Sequence, residues 1–228
     1  MLAGGLLRAT EPAGVAGKLL HADDFKKDLA DWVVEQQPGG KVSAENGLLT
    51  IKDAAGCTVW LRERLRAPVL ITYTARASAA SRVSDLNCFW MANDPARPDD
   101  LFAAGHAREG KFASYDALRL YYVGYGGNNN TTTRFRRYDG TGARPLLPEH
   151  DLAAPEFLLK PDHDYRITLL VTDDGRVQFI RDGTVIFDWR DPAPLRSGWF
   201  GFRTVHSQLE IRDFKVHELV APAVAAAQ

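Results

Sequence analysis

From residue 19 onward the chain consists of short segments of alternating apolar and polar residues, separated by Gly, Pro, Asp and Asn, with no sustained helical period. Two separators, Asp173-Asp174-Gly175 and Asp182-Gly183, stand between alternating segments and are typical of hairpin turns. Turn signals recur about every ten residues, a spacing that favours two packed antiparallel sheets. The sequence therefore predicts an all-β fold, a two-sheet antiparallel sandwich or jelly roll.

One domain of this kind accounts for most of the 228 residues. We expect the sandwich to occupy residues 19–219, between a flexible leader (residues 1–18) and a flexible tail (residues 220–228). In the leader the first charge after the start, Arg8, follows the short apolar piece, which is a poor match to a signal peptide.

The overall charge gives no reason to expect a nucleic-acid or membrane partner. The net charge is −1, so no global field attracts the chain to an anionic polymer or membrane surface. No apolar run approaches the ~20 residues that a membrane-spanning helix requires. Any recognition of an anion must therefore be local.

Residues 118–140, here called the arginine hairpin, supply such a local feature: tyrosines, four arginines and three consecutive asparagines around a Gly-rich turn. Because side chains two apart share a strand face, the second arm places Arg134, Arg136 and Tyr138 together. In the first arm two faces alternate, one with Leu118, Leu120 and Tyr122 and the other with Arg119, Tyr121, Val123 and Tyr125. One face of the hairpin is thus predicted to carry rows of arginines and tyrosines.

A row of arginines repels itself, and β-propensity favours other residues at such positions. Arginine forks match carboxylates, and tyrosines offer flat faces with a hydroxyl, so the row indicates an anionic or planar ligand. The alternative is a solvated strand face whose arginines pair with Asp116 and Asp139.

Two irregular segments interrupt the strand pattern. The first, here called the long loop (residues 93–115), carries prolines, charges and His106, and we expect a helical turn near residues 100–104. The second, residues 142–161, holds four prolines and His150. Long loops are uncommon without a function, so we expect the long loop to cover or border a site.

Cysteines and acidic residues give little evidence of a cofactor. Cys57 and Cys88 lie in apolar strand-like contexts, which favours two buried thiols over a disulfide. No Cys or His cluster has zinc-site spacing. A structural calcium remains possible, because oxygen ligands occur in the long loop, but their spacing matches no defined calcium loop. These ligands are Asn93, Asp94, Asp99 and Asp100.

Several motifs resemble concanavalin A-like, or laminin-G-like, sandwiches of bacterial sugar-degrading systems. These are Asp23-Asp-Phe with Trp32, Arg181-Asp-Gly-Thr-Val, and Gly201-Phe-Arg-Thr with Ile211-Arg-Asp-Phe-Lys-Val. More specifically, Asn87-Cys-Phe-Trp-Met with Asn93-Asp-Pro, and residues 121–138 (YYVGYGGNNNTTTRFRRY), are similar to the YesU-like proteins encoded beside rhamnogalacturonan-degrading genes. The resemblance covers residues 21–219 and implies a sandwich fold and an oligosaccharide or polysaccharide partner.

Two chemistries cleave glycosidic bonds in such sandwiches. Hydrolysis uses two carboxylates that flank the bond, and the E-x-D-x-x-E strand of sandwich glucanases is absent from this sequence. β-Elimination from a uronate instead needs cationic or amide groups that neutralise the carboxylate, with an acid and a base for the proton transfers. The arginine hairpin contains Arg, Asn and Tyr, which favours a lyase of acidic glycans.

The elimination hypothesis assigns roles to named residues. Tyr138 or Tyr125 would move protons, with His206 or His106 as the base. The candidate substrate-binding residues are Arg134, Arg136, Arg119, Asn128, Asn130, Trp90 and Arg203. Each has a plainer interpretation: the asparagines suit the turn, a lone His is more often structural, and Trp90 fits a core.

Two other functions stay open at this point. Aromatic platforms and arginines would equally serve a non-catalytic carbohydrate-binding module. An enzyme acting on small or keto-glycosides, by hydrolysis or elimination, is the third hypothesis.

Overall fold

The structure is a computed structural model that describes residues 11–105 and 108–222. The described residues form sixteen strands in two eight-stranded antiparallel sheets, so the predicted all-β sandwich is confirmed. The strands are β1 (Val15–Asp23), β2 (Trp32–Gln36), β3 (Lys41–Glu45), β4 (Leu48–Lys52), β5 (Cys57–Leu61), β6 (Leu65–Arg66), β7 (Val69–Ala77), β8 (Asn87–Asn93), β9 (Arg119–Gly126), β10 (Thr132–Asp139), β11 (Asp151–Leu152), β12 (Tyr165–Val171), β13 (Arg176–Arg181), β14 (Thr184–Arg190), β15 (Ser197–Thr204) and β16 (Gln208–Val220). Short helical turns lie at Gly127–Asn130, Phe112–Tyr115, Pro148–His150 and Pro155–Phe157.

Sheet A has the strand order β14-β13-β12-β7-β16-β4-β3, and β1 pairs with the second half of β16. Sheet B has the order β11-β10-β9-β8-β15-β5-β2, and β6 pairs with the start of β15. The two predicted hairpin turns join β12 to β13 and β13 to β14, as expected. β1 begins at residue 15 and β16 ends at residue 220, so the paired strands extend slightly beyond the expected domain bounds.

The main core lies between the two sheets. From sheet B, Trp90, Tyr125 and Phe135 point inward, and Phe179 and Phe187 meet them from sheet A. The ring centroids of Tyr125 and Phe179 are 6.1 Å apart, and those of Phe135 and Phe187 are 5.8 Å apart. These aromatic contacts between the layers bury the inner faces and drive the packing of the sheets.

Cys57 and Cys88 are buried, unpaired thiols in this structure, which confirms the preference for thiols over a disulfide. Burial raises the pKa of Cys88 to about 12. A thiol in that environment stays protonated and packs as a small apolar side chain.

A second apolar cluster covers the outer face of sheet B, beneath the long loop. Its side chains include Trp60, Phe89, Tyr115, Leu118, Leu120, Tyr122, Tyr138 and Trp199. Glu35 is buried beside this cluster. It accepts hydrogen bonds from Trp60 Nε1 (2.9 Å), Tyr115 Oη (2.8 Å) and Arg108 Nε (3.1 Å). Both oxygens of this carboxylate are bound, so Glu35 ties Arg108 and Tyr115 of the long loop to Trp60 of sheet B.

The expected helical turn near residues 100–104 is a single hydrogen-bonded turn, with Ala103 N donating to Asp100 O over 3.3 Å. The helical residues of the long loop are instead Phe112–Tyr115. Within the described part of the chain, no helix has the length and apolar character needed to cross a membrane.

Candidate functional site

The arginine hairpin consists of β9, the turn at Gly127–Asn130 and β10. Three consecutive turn residues adopt left-handed angles, with φ of 52° at Asn128, 59° at Asn129 and 60° at Asn130. Asparagine tolerates this region better than most residues, so the asparagine run is suited to this turn. The turn fixes the strand register, in which Arg136 stands opposite Tyr122 and Arg134 opposite Gly124.

The register corrects the predicted composition of the functional face. The alternation along each arm is as predicted, but the face that joins Arg134, Arg136 and Tyr138 carries Tyr122 from the first arm. Tyr121 and Tyr125 lie on the opposite face and belong to the core between the sheets. The reason is that residues directly opposite each other in an antiparallel pair share a face.

A pocket of about 310 Å³ opens on the outer side of the hairpin, and we call it the arginine pocket. The hairpin forms one wall, the loop before β8 and the turn after β15 form another, and Phe112 and Arg144 approach from the two irregular segments. The lining residues are Arg82, Asp85, Asn87, Phe112, Tyr122, Gly124, Gly127, Asn128, Thr132, Arg134, Arg136, Tyr138, Arg144, Val205 and His206. The long loop thus borders the pocket through Phe112, where we expected it to border a site.

Four arginines line this pocket, and Asp85 is the single carboxylate that does so among the described residues. Three of the four arginines are held by carboxylates. Arg134 donates to both oxygens of Asp151 (2.9 and 3.0 Å), and Arg144 donates to both oxygens of Asp116 (2.7 and 2.8 Å). The Arg134 guanidinium lowers the pKa of Asp151, so this carboxylate is ionised at neutral pH.

Arg82 is the third paired arginine. Its guanidinium donates to Asp85, to the carbonyl of Val205 and to the side chain of Asn129. It therefore connects the loop before β8, the turn after β15 and the hairpin turn. These contacts close one end of the pocket.

Arg136 differs from the other three arginines, because no carboxylate among the described residues pairs with it. One of its terminal nitrogens donates to the backbone carbonyl of Arg144. The guanidinium is half-buried, and its remaining donors are available to a ligand. A positively charged group of this kind with unused donors is suited to bind a carboxylate.

Tyr138 lies at the base of the pocket with its hydroxyl buried, and that hydroxyl has no hydrogen-bond partner among the described residues. Burial raises the pKa of Tyr138 to about 12, against the opposing effect of nearby Arg144, Arg136 and Arg203. The side-chain oxygen of Asn87, which also lines the pocket, is likewise buried without a partner in the described chain. Because both atoms belong to residues that line the pocket, they are candidates to bind polar groups of a ligand.

Tyr122 forms part of the pocket floor, and its ring lies 6.0 Å from that of Tyr138 in an edge-to-face arrangement. The ring extends over Gly124, where a Cβ atom would lie 2.6 Å from the Tyr122 hydroxyl. Glycine is therefore required at this position if the tyrosine is to lie across the strand. On the other side Tyr122 meets Phe112, with ring centroids 5.8 Å apart.

Of the two predicted histidines, His206 lines the arginine pocket, and His106 lies outside the described residues. His206 is exposed, in the turn after β15, with a left-handed φ of 54°. Its backbone N–H donates to Asp53 over 3.0 Å, which holds the turn. The ring is thus presented at the pocket wall.

Arg203 is completely buried beside the pocket and does not line it. Its guanidinium lies 4.9 Å from the Phe112 ring centroid and 5.0 Å from that of Tyr115, and it donates to Thr58 (3.0 Å) and to the Gly110 carbonyl (2.8 Å). The predicted direct contact with substrate is therefore corrected to an indirect effect, since its charge lowers the pKa of Tyr138.

Four other predicted site residues lie away from the pocket. Trp90 and Tyr125 are buried in the main core, and the Tyr125 hydroxyl accepts a hydrogen bond from Arg181 over 3.1 Å. Arg119 is exposed at the start of β9 and donates to the Asp139 carbonyl. Asn130 binds both backbone groups of Leu159 through its amide (2.8 and 2.9 Å). Of the asparagines predicted to bind substrate, Asn128 alone lines the pocket.

Two acidic residues of the long loop stabilise backbone turns through their side-chain oxygens. Asp94 accepts from Ala96 N (2.9 Å) and Asp100 accepts from Phe102 N (2.8 Å). Among the described residues, no group of three or more His, Cys, Asp or Glu side chains has a metal-binding arrangement.

Sequence reasoning did not predict Arg82, Asn87, Phe112 or Arg144 as site residues, although all four line the pocket. They come from three separate places in the chain, residues 82–87, 112 and 144, and meet because the order of strands in sheet B brings these segments together. The sequence did contain one indication that Tyr122 lies across the strand. Gly124, two residues away on the same face, has no side chain and so leaves room for a tilted ring.

The fold is that of galectin-like sandwiches. A Bacillus subtilis protein of unknown function with a galectin-like fold is 23% identical, with a TM-score of 0.74 over 92% of this chain and 100% of that chain. The carbohydrate-binding module CBM66 from Bacillus subtilis is 10% identical, with a TM-score of 0.57 over 82% and 96% of the two chains. A β-1,3-1,4-glucanase (lichenase) derived from a mouse hindgut metagenome is 11% identical, with a TM-score of 0.57 over 88% and 99%.

The sequence identifies the family within this class of fold. The family model "Domain of unknown function (DUF6250)" matches residues 51–214, and the chain belongs to that family. No curated protein matches the chain. Among these structural neighbours are a carbohydrate-binding module and two glucanases, and at this level of identity they show a shared fold.

Proposed function

We propose that this protein binds a uronate-containing glycan in the arginine pocket and cleaves the glycosidic bond by β-elimination. The observation that carries the proposal is a pocket with four arginines and a single carboxylate, in which Arg136 has no carboxylate partner in the described structure. The resemblance to YesU-like proteins makes rhamnogalacturonan the first acidic glycan to test.

The first step is recognition of the substrate carboxylate by Arg136. Arg134 and Arg144 are paired with Asp151 and Asp116, which largely neutralise their charge, so the unpaired positive charge of the pocket is that of Arg136. A carboxylate bound to Arg136 has its negative charge neutralised, which makes the proton on the adjacent ring carbon more acidic. Binding energy is thus used where charge develops in the transition state.

The second step is proton transfer. In the proposed reaction the ring of His206 removes the C5 proton, the bond from C4 to the glycosidic oxygen breaks, and the Tyr138 hydroxyl gives its proton to the leaving oxygen. The products are a 4,5-unsaturated uronate and a new sugar hydroxyl. Because the Tyr138 hydroxyl is buried at the base of the pocket, the proposed proton transfer requires the surrounding side chains to move when the glycan binds.

Hydrolysis with two carboxylates has less support. Such a mechanism needs two carboxyl groups about 5–9.5 Å apart across the bond. Asp85 is the single acidic residue among the described residues of the pocket lining, and it already accepts from Arg82 and Ser84. Glu210, on the final strand, is bound to Arg76 over 2.7 Å in sheet A.

The test is ultraviolet absorbance of the conjugated product during incubation with uronate-containing glycans. We expect absorbance to rise with at least one acidic glycan and to be lost in Arg136→Met, a change that keeps the length of the side chain and removes its charge. Arg119→Met is the matched control, because Arg119 is exposed on the same hairpin and does not line the pocket. Accumulation of reducing ends without absorbance would refute elimination.

A non-catalytic carbohydrate-binding role is the second candidate. It is favoured by the similarity of the fold to the module CBM66 and by the fact that three of the four pocket arginines are engaged in internal ion pairs. In that case an acidic oligosaccharide binds in the arginine pocket and is recovered uncleaved. Binding with neither absorbance nor new reducing ends would establish this role in place of the enzyme.

A further inference from the structure

A second pocket, also of about 310 Å³, lies at the sheet edge where β10 continues past the end of β11. We call it the tryptophan pocket. Its lining residues are Phe135, Arg136, Arg137, Asp139, Pro145, Leu147, His150, Trp189, Asp191, Pro192 and Ala193. None of the carbohydrate chemistry described above uses this pocket.

Two of the charged residues that line the tryptophan pocket, Arg137 and Asp191, pair with each other. Asp191, which is 4% exposed, accepts hydrogen bonds from Tyr121 Oη (2.7 Å), Arg137 Nε (3.3 Å) and Ala193 N (2.8 Å). Arg137 also donates to the Ala193 carbonyl over 3.0 Å. The lining holds two arginines and two aspartates, so its formal charges sum to zero and an uncharged occupant is expected.

The remaining surface is aromatic and apolar. The Trp189 ring is half-buried, with its centroid 6.3 Å from that of His150 and 5.9 Å from that of Phe135. Leu147 is 40% exposed, although large apolar side chains normally avoid water. Rigid walls of Pro145 and Pro192 enclose the rings, an arrangement suited to a flat apolar group.

His150 provides a single polar feature inside this surface. It is 6% exposed, and neither ring nitrogen has a hydrogen-bond partner among the described residues. Burial lowers the pKa of His150, so the ring is neutral near neutral pH and one nitrogen is an acceptor. Because His150 lines the pocket and its ring makes no hydrogen bond to the described residues, its acceptor nitrogen is available to a hydroxyl donor on a ligand.

The two pockets are separated by one side chain and one loop. Arg136 lines both pockets, and it donates to the carbonyl of Arg144. Arg144 lines the arginine pocket, whereas the next residue, Pro145, lines the tryptophan pocket. A single ligand can therefore reach both pockets across Arg136.

We infer that the tryptophan pocket binds an uncharged aromatic ring with a hydroxyl group, carried by the saccharide whose carboxylate occupies the arginine pocket. The ring packs against Trp189 and Leu147, and its hydroxyl donates to His150. The second half of this inference, that ring and carboxylate belong to one ligand, rests on the proposed function; the first half does not.

The test measures binding of 4-methylphenol, toluene, glucuronate and phenyl β-D-glucuronide by NMR titration of the whole chain. We expect 4-methylphenol to bind about fivefold more tightly than toluene, the effect of one net hydrogen bond. His150→Phe, which keeps a ring of similar size, should remove this preference and leave toluene binding unchanged. Trp189→Leu should weaken both ligands, and Arg136→Met should weaken glucuronate alone.

The outcomes separate the two claims. Equal affinity for 4-methylphenol and toluene, or phenol binding that neither Trp189→Leu nor His150→Phe alters, would overturn the aromatic site. A glucuronide no tighter than glucuronate would overturn the single-ligand claim. If 4-methylphenol binds as expected while glucuronate shows no dependence on Arg136, the aromatic site stands and the proposed function fails.

Discussion

Replacing Tyr138 by Phe tests whether the buried hydroxyl at the base of the arginine pocket serves chemistry or stability. The hydroxyl has no partner among the described residues, and burying an unpaired hydroxyl costs about 1–3 kcal/mol in proteins. We therefore expect Tyr138→Phe to leave the free energy of unfolding unchanged or to raise it by up to about 2 kcal/mol.

The same substitution at Tyr115 is the matched control. The Tyr115 hydroxyl donates over 2.8 Å to Glu35, which is 4% exposed, so its loss removes a buried hydrogen bond to a charged group. Such a bond contributes about 1.5–3 kcal/mol. For a domain of this size, that corresponds to a fall in Tm of roughly 3–12 °C. The two Tyr→Phe variants are thus expected to shift stability in opposite directions or to differ by more than the error of the measurement.

Thermal unfolding followed by circular dichroism gives the stability of both variants, and the absorbance assay gives their activity. Loss of a general acid lowers the rate about 10²–10⁴-fold, so Tyr138→Phe should be stable and inactive, while folded Tyr115→Phe should retain activity. A Tyr138→Phe variant that unfolds as easily as Tyr115→Phe would refute the assignment of an unpaired hydroxyl. A stable Tyr138→Phe variant with full activity would remove Tyr138 from the mechanism.

Three further predictions concern the hairpin and the opening strand. Gly124→Ala places a Cβ 2.6 Å from the Tyr122 hydroxyl and should weaken saccharide binding relative to wild type, as measured by titration calorimetry. Because Arg134 lowers the pKa of Asp151 below 3.8, Arg134→Met should be less stable than wild type above that pH, and denaturant titrations should show the gap closing as pH falls through the lowered pKa. Asp23→Ala removes acceptors for Trp32 Nε1 and Phe25 N, both at 2.7 Å, and should lower the free energy of unfolding by about 1–2 kcal/mol in urea titrations.

The fold was predictable because its signals are local. The turn at Asp182-Gly183 and the alternation of apolar and polar residues in β12, β13 and β14 can each be recognised from a short stretch of sequence. In the opening motif that carries the family resemblance, Trp32 Nε1 donates a hydrogen bond of 2.7 Å to Asp23. This bond links the end of β1 to the start of β2.

The face of the arginine hairpin was predictable only in part. Alternation correctly grouped Arg134, Arg136 and Tyr138, but it does not state which residues of the first arm lie opposite them. That depends on the register set by the four-residue turn, which placed Tyr122 on the pocket side and Tyr125 in the core.

The rest of the site depends on the order of strands in sheet B. Arg82 and Arg144 are separated by about one quarter of the chain and line one pocket because their loops flank β8 and β10, the two strands that pair with β9. The sequence also does not show which arginines form ion pairs. Arg134 is paired with Asp151, whereas Arg136, two residues later, has no carboxylate partner among the described residues.

The most direct test of the account is calorimetric binding of an acidic oligosaccharide and of the same oligosaccharide after its carboxyl groups are reduced to alcohols. A charged hydrogen bond to Arg136 predicts at least about a tenfold preference for the acidic form, and Arg136→Met should abolish that preference while Arg119→Met keeps it. Equal binding of the two forms, or an undiminished preference in Arg136→Met, would contradict the claim that this pocket recognises a carboxylate.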